Sequence, residues 1–121
     1  MDSQRKPFPV FVELPPFQRY REDYLDDAGY RLLQFMLLKN PEAGAVLRHT
    51  GGLRKFRFED QHRRKGKRGG LRIIYYWSTA DRQFWLFTLY DKDEMNDLTA
   101  RELSLLKDML ANELRNRQKQ P

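Results

Sequence analysis

Two stretches of the chain, LRIIYYW (Leu71–Trp77) and FWLFTLY (Phe84–Tyr90), are apolar or aromatic at almost every position. A strand with one wet face alternates; a near-continuous run is the mark of a strand buried on both faces. Thr79-Ala80-Asp81-Arg82 between them has the length of a hairpin connection. The pair therefore predicts two adjacent antiparallel strands at the centre of a sheet, and the remaining elements have to cover them.

A third segment, LRKFRFE (Leu53–Glu59), does alternate: Leu53, Lys55, Arg57 and Glu59 share one face, and Arg54, Phe56 and Phe58 the other. PVFVEL (Pro9–Leu14) suits a strand, and Pro15-Pro16 ends it. Phe17, Tyr20, Tyr24 and Leu25 then fall at helical spacing, and Tyr30, Leu33, Met36 and Leu37 mark a second helix that Asp26 or Asp27 can cap. Asn40-Pro41 closes it, because a residue before proline disfavours the helical conformation. NPEAGAVLRHTGG reads as a connection, with His49 a turn residue. Thr99 and Glu102 have the capping-box spacing ahead of a stripe of Leu103, Leu106, Met109/Leu110 and Glu113/Leu114. The terminal RNRQKQ reads as a frayed, solvated end. The fold class expected is α+β: a small, antiparallel-dominated sheet packed against two N-terminal helices and a C-terminal helix.

With 121 residues, 40% of them apolar, the chain has the material for one domain, 1–121, with its own core. There is no cysteine, which removes thiolate nucleophiles and cysteine zinc sites together. Only His49 and His62 could serve a histidine metal cluster, so no metal and no cofactor are expected. No apolar run reaches the roughly 18 residues a membrane span needs. MDSQRKPFPVFVELPPF lacks the apolar stretch of a signal peptide, so the expected location is cytoplasmic.

The net charge of +6 is unevenly placed: Arg48 to Arg72 holds ten Lys/Arg against Glu59 and Asp60, or +8, leaving −2 for the rest. A positive field so concentrated points to a polyanion, nucleic acid first. Lys55 and Arg57 stand on the rigid face of their strand. Arg72 joins them if its strand pairs alongside, and Arg63, Arg64, Lys65, Lys67 and Arg68 would stand at the rim from the glycine-rich loop. Fixed cations with a basic loop above suit one phosphate plus a longer track, with Arg54 an added backbone contact. Elsewhere the bland readings prevail. Trp77 and Trp85 lie inside apolar strands and suit the core better than base stacking. His62 suits a solvated loop, and Asp91, Asp93 and Glu94 flank Lys92 in a polar loop rather than a metal site.

GGLRKFRF, KGKRGGLRIIYYW and FWLFTLYDKDEMNDLT, taken with the element order, resemble the HigB-type toxins of the RelE/ParE toxin–antitoxin superfamily over roughly Phe11 to Leu114. In that family a strand, basic loop, strand, strand run ends in a tyrosine-x-lysine segment before the last helix. The resemblance implies a RelE-like fold and a metal-independent endoribonuclease, an mRNA interferase. Such an enzyme cuts messenger RNA in the A site of the 30S subunit by attack of the ribose 2′-hydroxyl on the adjacent phosphate. It further implies that Lys55, Arg57, Arg72 and Lys92 are catalytic. Arg57 and Arg72 would clamp phosphate, Lys55 would face the 2′-oxygen or scissile phosphate, and Lys92 would face the leaving oxygen. The partners implied are the ribosome, its message and an antitoxin with a helix-turn-helix domain, through which alone the chain would meet operator DNA.

RelE-like enzymes often carry a catalytic tyrosine or histidine near the C-terminal end, yet the residue six beyond Lys92 is Leu98. Tyr90 or Glu94 would have to substitute. Two alternatives stay open: a ParE-like inhibitor of DNA gyrase, which shares the fold without RNA-cleaving residues, and a non-catalytic basic RNA-binding module.

Overall fold

A computed structural model describes residues 9–59, 70–94 and 97–118. Its elements run β1 (Val10–Glu13), α1 (Pro15–Tyr24), α2 (Asp27–Lys39), β2 (Ala45–Val46), β3 (Arg54–Phe58), β4 (Leu71–Ser78), β5 (Gln83–Asp91) and α3 (Ala100–Gln118). The five strands form one mixed sheet in the order β1-β5-β4-β3-β2. β4 and β5 are its antiparallel centre, as their near-continuous apolar runs require, and β3 pairs antiparallel with β4. β1 lies parallel to β5, with Val10 opposite Gln83 and Glu13 opposite Leu86. The chain returns to the sheet through α1 and α2. The class is α+β.

One strand escaped the sequence reading. Ala45–Val46, inside what read as a plain connection, pairs with Arg54 and Lys55 of β3. Two residues leave no alternation to detect, and the pairing is specified by the neighbouring glycine. A Cβ on Gly44 would lie 2.9 Å from Tyr75 Cε1 and 3.0 Å from the Lys55 carbonyl, so any side chain here would push those neighbours away. The Tyr75 hydroxyl completes the anchor, accepting from the Gly44 amide at 3.0 Å and donating to the Pro41 carbonyl at 2.8 Å.

Two cores flank the sheet. On one face Phe17, Leu25, Leu33 and Leu37 of the α1–α2 layer meet Phe58, Leu71, Ile73, Tyr75, Phe84, Leu86 and Leu89. On the other, Leu106 and Leu110 of α3 meet Leu14, Leu53, Ile74, Trp85, Phe87 and Tyr90. This is why β4 and β5 lack polar alternation: both of their faces are interior. β5 keeps both faces filled through a register shift, in which Ile74 pairs with Thr88 and Tyr75 with Leu86. The extra residue, Phe87, changes the parity of the strand, so that Phe84 and Leu86 before it and Leu89 after it face the same core.

Local signals set the helix ends. Asp26 Oδ1 accepts the Gly29 amide at 2.7 Å and starts α2, while Asn40 ends it. Thr99 and Glu102 form the reciprocal cap of α3, with Thr99 N to Glu102 Oε1 at 2.8 Å and Glu102 N to Thr99 Oγ1 at 3.1 Å. His49 takes a left-handed turn conformation, φ 63°. The C-terminal turns of α3 are tied down rather than frayed as far as Arg117, whose guanidinium carbon sits 4.4 Å from the Trp85 ring centroid. A cation over an indole face gains both apolar cover and electrostatic attraction. No described helix is long and apolar enough to cross a membrane.

Candidate nucleic-acid interface

On β3, Phe56 and Phe58 point into the α1–α2 core. Their neighbours Lys55 and Arg57 must then lie on the α3 face, where Leu53 is buried. On β4 the same logic puts Arg72 on the face of Ile74, and on β5 it puts Tyr90 there. The strand register aligns them: Arg57 stands opposite Arg72, and Arg72 opposite Tyr90, so the three form a row straight across the sheet. Lys55 stands one pleat along, opposite Ile74. Directly opposed residues place their Cβ atoms about 4.5–5.5 Å apart, and like charges so placed destabilise a sheet. The row runs from the exposed Arg57 inward to Tyr90, which packs in the same core as Leu106 and Leu110 of α3.

Exposure is graded along the row. The Arg57 side chain is 58% exposed and reaches Glu59 at 2.9 Å. Arg72 is half-buried, and Tyr90 is only 4% exposed. The Tyr90 hydroxyl donates to Asp97 Oδ1 at 2.8 Å. Burial first, then that hydrogen bond and the charge of Asp97, push the Tyr90 phenol up, against the opposing pull of Arg72. Its chemistry at neutral pH is that of a neutral phenol, a hydrogen-bond donor, not of a phenolate base.

The end of β5 turns back toward the start of β4. The Lys92 amide donates to the Gly70 carbonyl at 3.0 Å, which sets Lys92, half-buried, at the same end of the sheet as Arg72. The turn is built by Asp91, 2% exposed, whose Oδ1 accepts the Asp93 amide at 2.8 Å. Among the described residues no three His, Asp or Glu side chains gather in a set that would hold a metal ion. Glu94 accepts the Tyr24 hydroxyl at 2.9 Å, so this carboxylate is engaged with α1. Burial and the Glu94 contact push the Tyr24 phenol up to about 12.

Arg54 is placed differently from the other sheet cations. It faces away from Lys55 and Arg57, and its guanidinium donates to the Gly44 carbonyl at 2.7 Å and the Glu42 carbonyl at 3.2 Å. Its fork is filled by the α2–β2 connection, a holding role for the backbone there. Arg63, Arg64, Lys65, Lys67 and Arg68, together with His62, lie outside the described residues. Phe58 and Leu71, on either side of that segment, are paired next to Arg57 and Arg72. Trp85 is 1% exposed and Trp77 packs against the α1–α2 core, so both tryptophans serve the interior.

The residue that sequence reasoning missed is Asp97. Its Oδ2 lies 3.4 Å from Lys55 Nζ, and its Oδ1 accepts both the Tyr90 hydroxyl and the Leu98 amide at 2.8 Å. Desolvation alone would raise its carboxyl; the bonds from Tyr90 and Leu98 and the Lys55 charge outweigh that and hold it below the ordinary aspartate value. The capping box at Thr99 placed Asp97 just ahead of α3, but nothing local to it pointed to Lys55 or Tyr90.

No family model matches the chain. Among solved structures it is similar to a mutant of the Escherichia coli toxin RelE in the free state, with 15% sequence identity and a TM-score of 0.47, covering 74% of this chain and 86% of that one. The α+β assignment therefore stands on the strand order and the two cores of this chain itself.

Proposed function

We propose that the chain is the toxin of a toxin–antitoxin pair, a HigB-type member of the RelE group, and that it cuts messenger RNA in the ribosomal A site without a metal. The observation that carries this reading is the opposed pair Arg57 and Arg72, with Lys55 one pleat away on the same face. Two arginines in register across neighbouring strands suit a face that receives an anion. Their planar forks match the non-bridging oxygens of a phosphodiester. The motifs from GGLRKFRF to DLT, arranged in the element order observed, support the same assignment.

In this reaction the ribose 2′-oxygen attacks the adjacent phosphorus, the bond to the 5′-oxygen of the next nucleotide breaks, and a 2′,3′-cyclic phosphate and a 5′-hydroxyl result. Negative charge builds on the equatorial oxygens of the phosphorane. Fixed cations aimed at that charge lower the barrier without reorganising, which is the largest contribution a small rigid sheet can offer. Arg57 and Arg72 hold the phosphate, Lys55 stabilises charge at the attacking oxygen, and Lys92 stabilises or protonates the leaving oxygen. Tyr90 supplies a neutral hydroxyl behind Arg72. The basic segment 63–68 adds a track along the backbone of message or ribosomal RNA. An antitoxin bearing a helix-turn-helix domain restrains the toxin and carries the operator contact.

The test adds purified protein to translating ribosomes and, separately, to the same naked message, and maps the new 5′ ends. Cuts confined to A-site codons in the ribosome sample, absent with Arg72→Ala, are expected. Intact message in both samples, from a protein that still arrests growth, would replace this reading with gyrase inhibition.

A further inference from the structure

We propose that Asp97 is a positioning residue whose single carboxylate fixes Lys55 and Tyr90 on either side of Arg72; its catalytic consequence rests on the ribonuclease reading above. Lys55 comes from β3 and Tyr90 from β5, with β4 between them. Strands two apart are separated by roughly 9–10 Å, twice the inter-strand spacing, so no direct contact between backbones can set these side chains relative to one another. Asp97 spans that gap from the segment ahead of α3. Oδ2 lies at 3.4 Å from Lys55 Nζ and Oδ1 at 2.8 Å from the Tyr90 hydroxyl, while the Leu98 amide, also at 2.8 Å, orients the carboxylate itself.

A lysine ammonium on four rotatable bonds is a poorly aimed charge, and immobilising it costs rotamer entropy. A fixed carboxylate partner settles that cost before substrate arrives. Yet Asp97 is also a negative charge on a face that receives phosphate, which works against ground-state binding. The two effects separate in kinetics: a neutral residue here should weaken the chemical step while leaving substrate binding unchanged or tighter. A residue that merely anchored α3 would show no such split. Its loss would lower stability, and binding and turnover would fall together.

The experiment compares wild type with Asp97→Asn, which preserves the shape and the acceptor for the Leu98 amide. Cleavage of message on programmed ribosomes is measured for kcat and KM. Expected is a kcat at least tenfold lower with KM equal or reduced, and with thermal unfolding close to that of wild type. The second readout needs no activity: the tyrosinate signal of Tyr90, isolated by subtracting the titration of Tyr90→Phe, is followed with pH while circular dichroism monitors folding. Expected is an onset of ionisation at lower pH in Asp97→Asn, since the phenol has lost its carboxylate acceptor. Unchanged Tyr90 ionisation in the two proteins overturns the carboxylate contact, and an unchanged kcat overturns the positioning role. If wild type itself leaves every message intact, the ribonuclease reading fails on its own, and the Tyr90 titration still decides whether Asp97 holds that side chain.

Discussion

Arginine set directly across from arginine is the residue-scale feature on which the account turns. Either side chain alone would be an ordinary surface cation, worth little to stability. Opposed across β3 and β4, Arg57 and Arg72 are, on the proposed reading, a bidentate pair for phosphate whose planar forks lysine cannot copy. Arg72→Ala should therefore lower single-turnover cleavage by about 10²- to 10³-fold, the usual effect of removing one charge-stabilising donor. Arg72→Lys should recover little of it, and a lysine variant that cleaved at the wild-type rate would reduce the pair to generic positive charge. A second residue-scale prediction concerns alkali. Tyr24 ionises near 10.0 when free and is held up to about 12 in the folded chain by burial and Glu94. A raised phenol contributes stability that is intact below the unfolded value and lost as pH climbs through the folded one. Stability measured by urea should thus fall between pH 10 and 12, and fall less steeply in Tyr24→Phe, which has no proton to lose.

At the scale of elements, what the sequence made legible tracked how many residues carried each signal. β4 and β5 were readable because apolar or aromatic side chains fill six of seven positions in each run, broken only by Arg72 and Thr88. α3 was readable because Thr99 and Glu102 form a local, reciprocal cap. The alternation of LRKFRFE placed Lys55 and Arg57 on one face correctly. β2 was not legible, because two residues show no period, and neither was the inward fork of Arg54, whose acceptors are backbone carbonyls ten or more positions away. Asp97 was hidden for the same reason: its partners Lys55 and Tyr90 meet it only through the fold. Two substitutions test these elements. Gly44→Ala should cost roughly 1–3 kcal/mol in chemical denaturation, because the new methyl would have to displace the Lys55 backbone as well as the Tyr75 ring. Thr99→Ala should cost about 1 kcal/mol by loosening the first turn of α3; an unchanged midpoint for either would show that the contact contributes nothing.

The whole molecule is a sheet with two unequal interiors and a charge distribution that follows neither. α1 and α2 close one face, α3 packs on the other, and Lys55, Arg57 and Arg72 lie on the α3 side. Leu33 and Leu110 are both almost fully buried, one in each core, so truncating either to alanine should cost about 2–5 kcal/mol in urea. Along the sequence the charge is segregated, +8 between Arg48 and Arg72 against −2 elsewhere, and on the proposed reading that field should steer the chain toward RNA over about 8 Å at physiological salt. The measurement that tests the central claim most directly is the chemical nature and position of the RNA ends made by wild type, Arg57→Lys and Arg72→Lys on ribosomes stalled at a defined codon. The account predicts 2′,3′-cyclic phosphate and 5′-hydroxyl ends at the A-site codon for wild type, with both lysine variants bound to the ribosome yet nearly inactive. Intact message with wild type, or full cleavage by both variants, would contradict it.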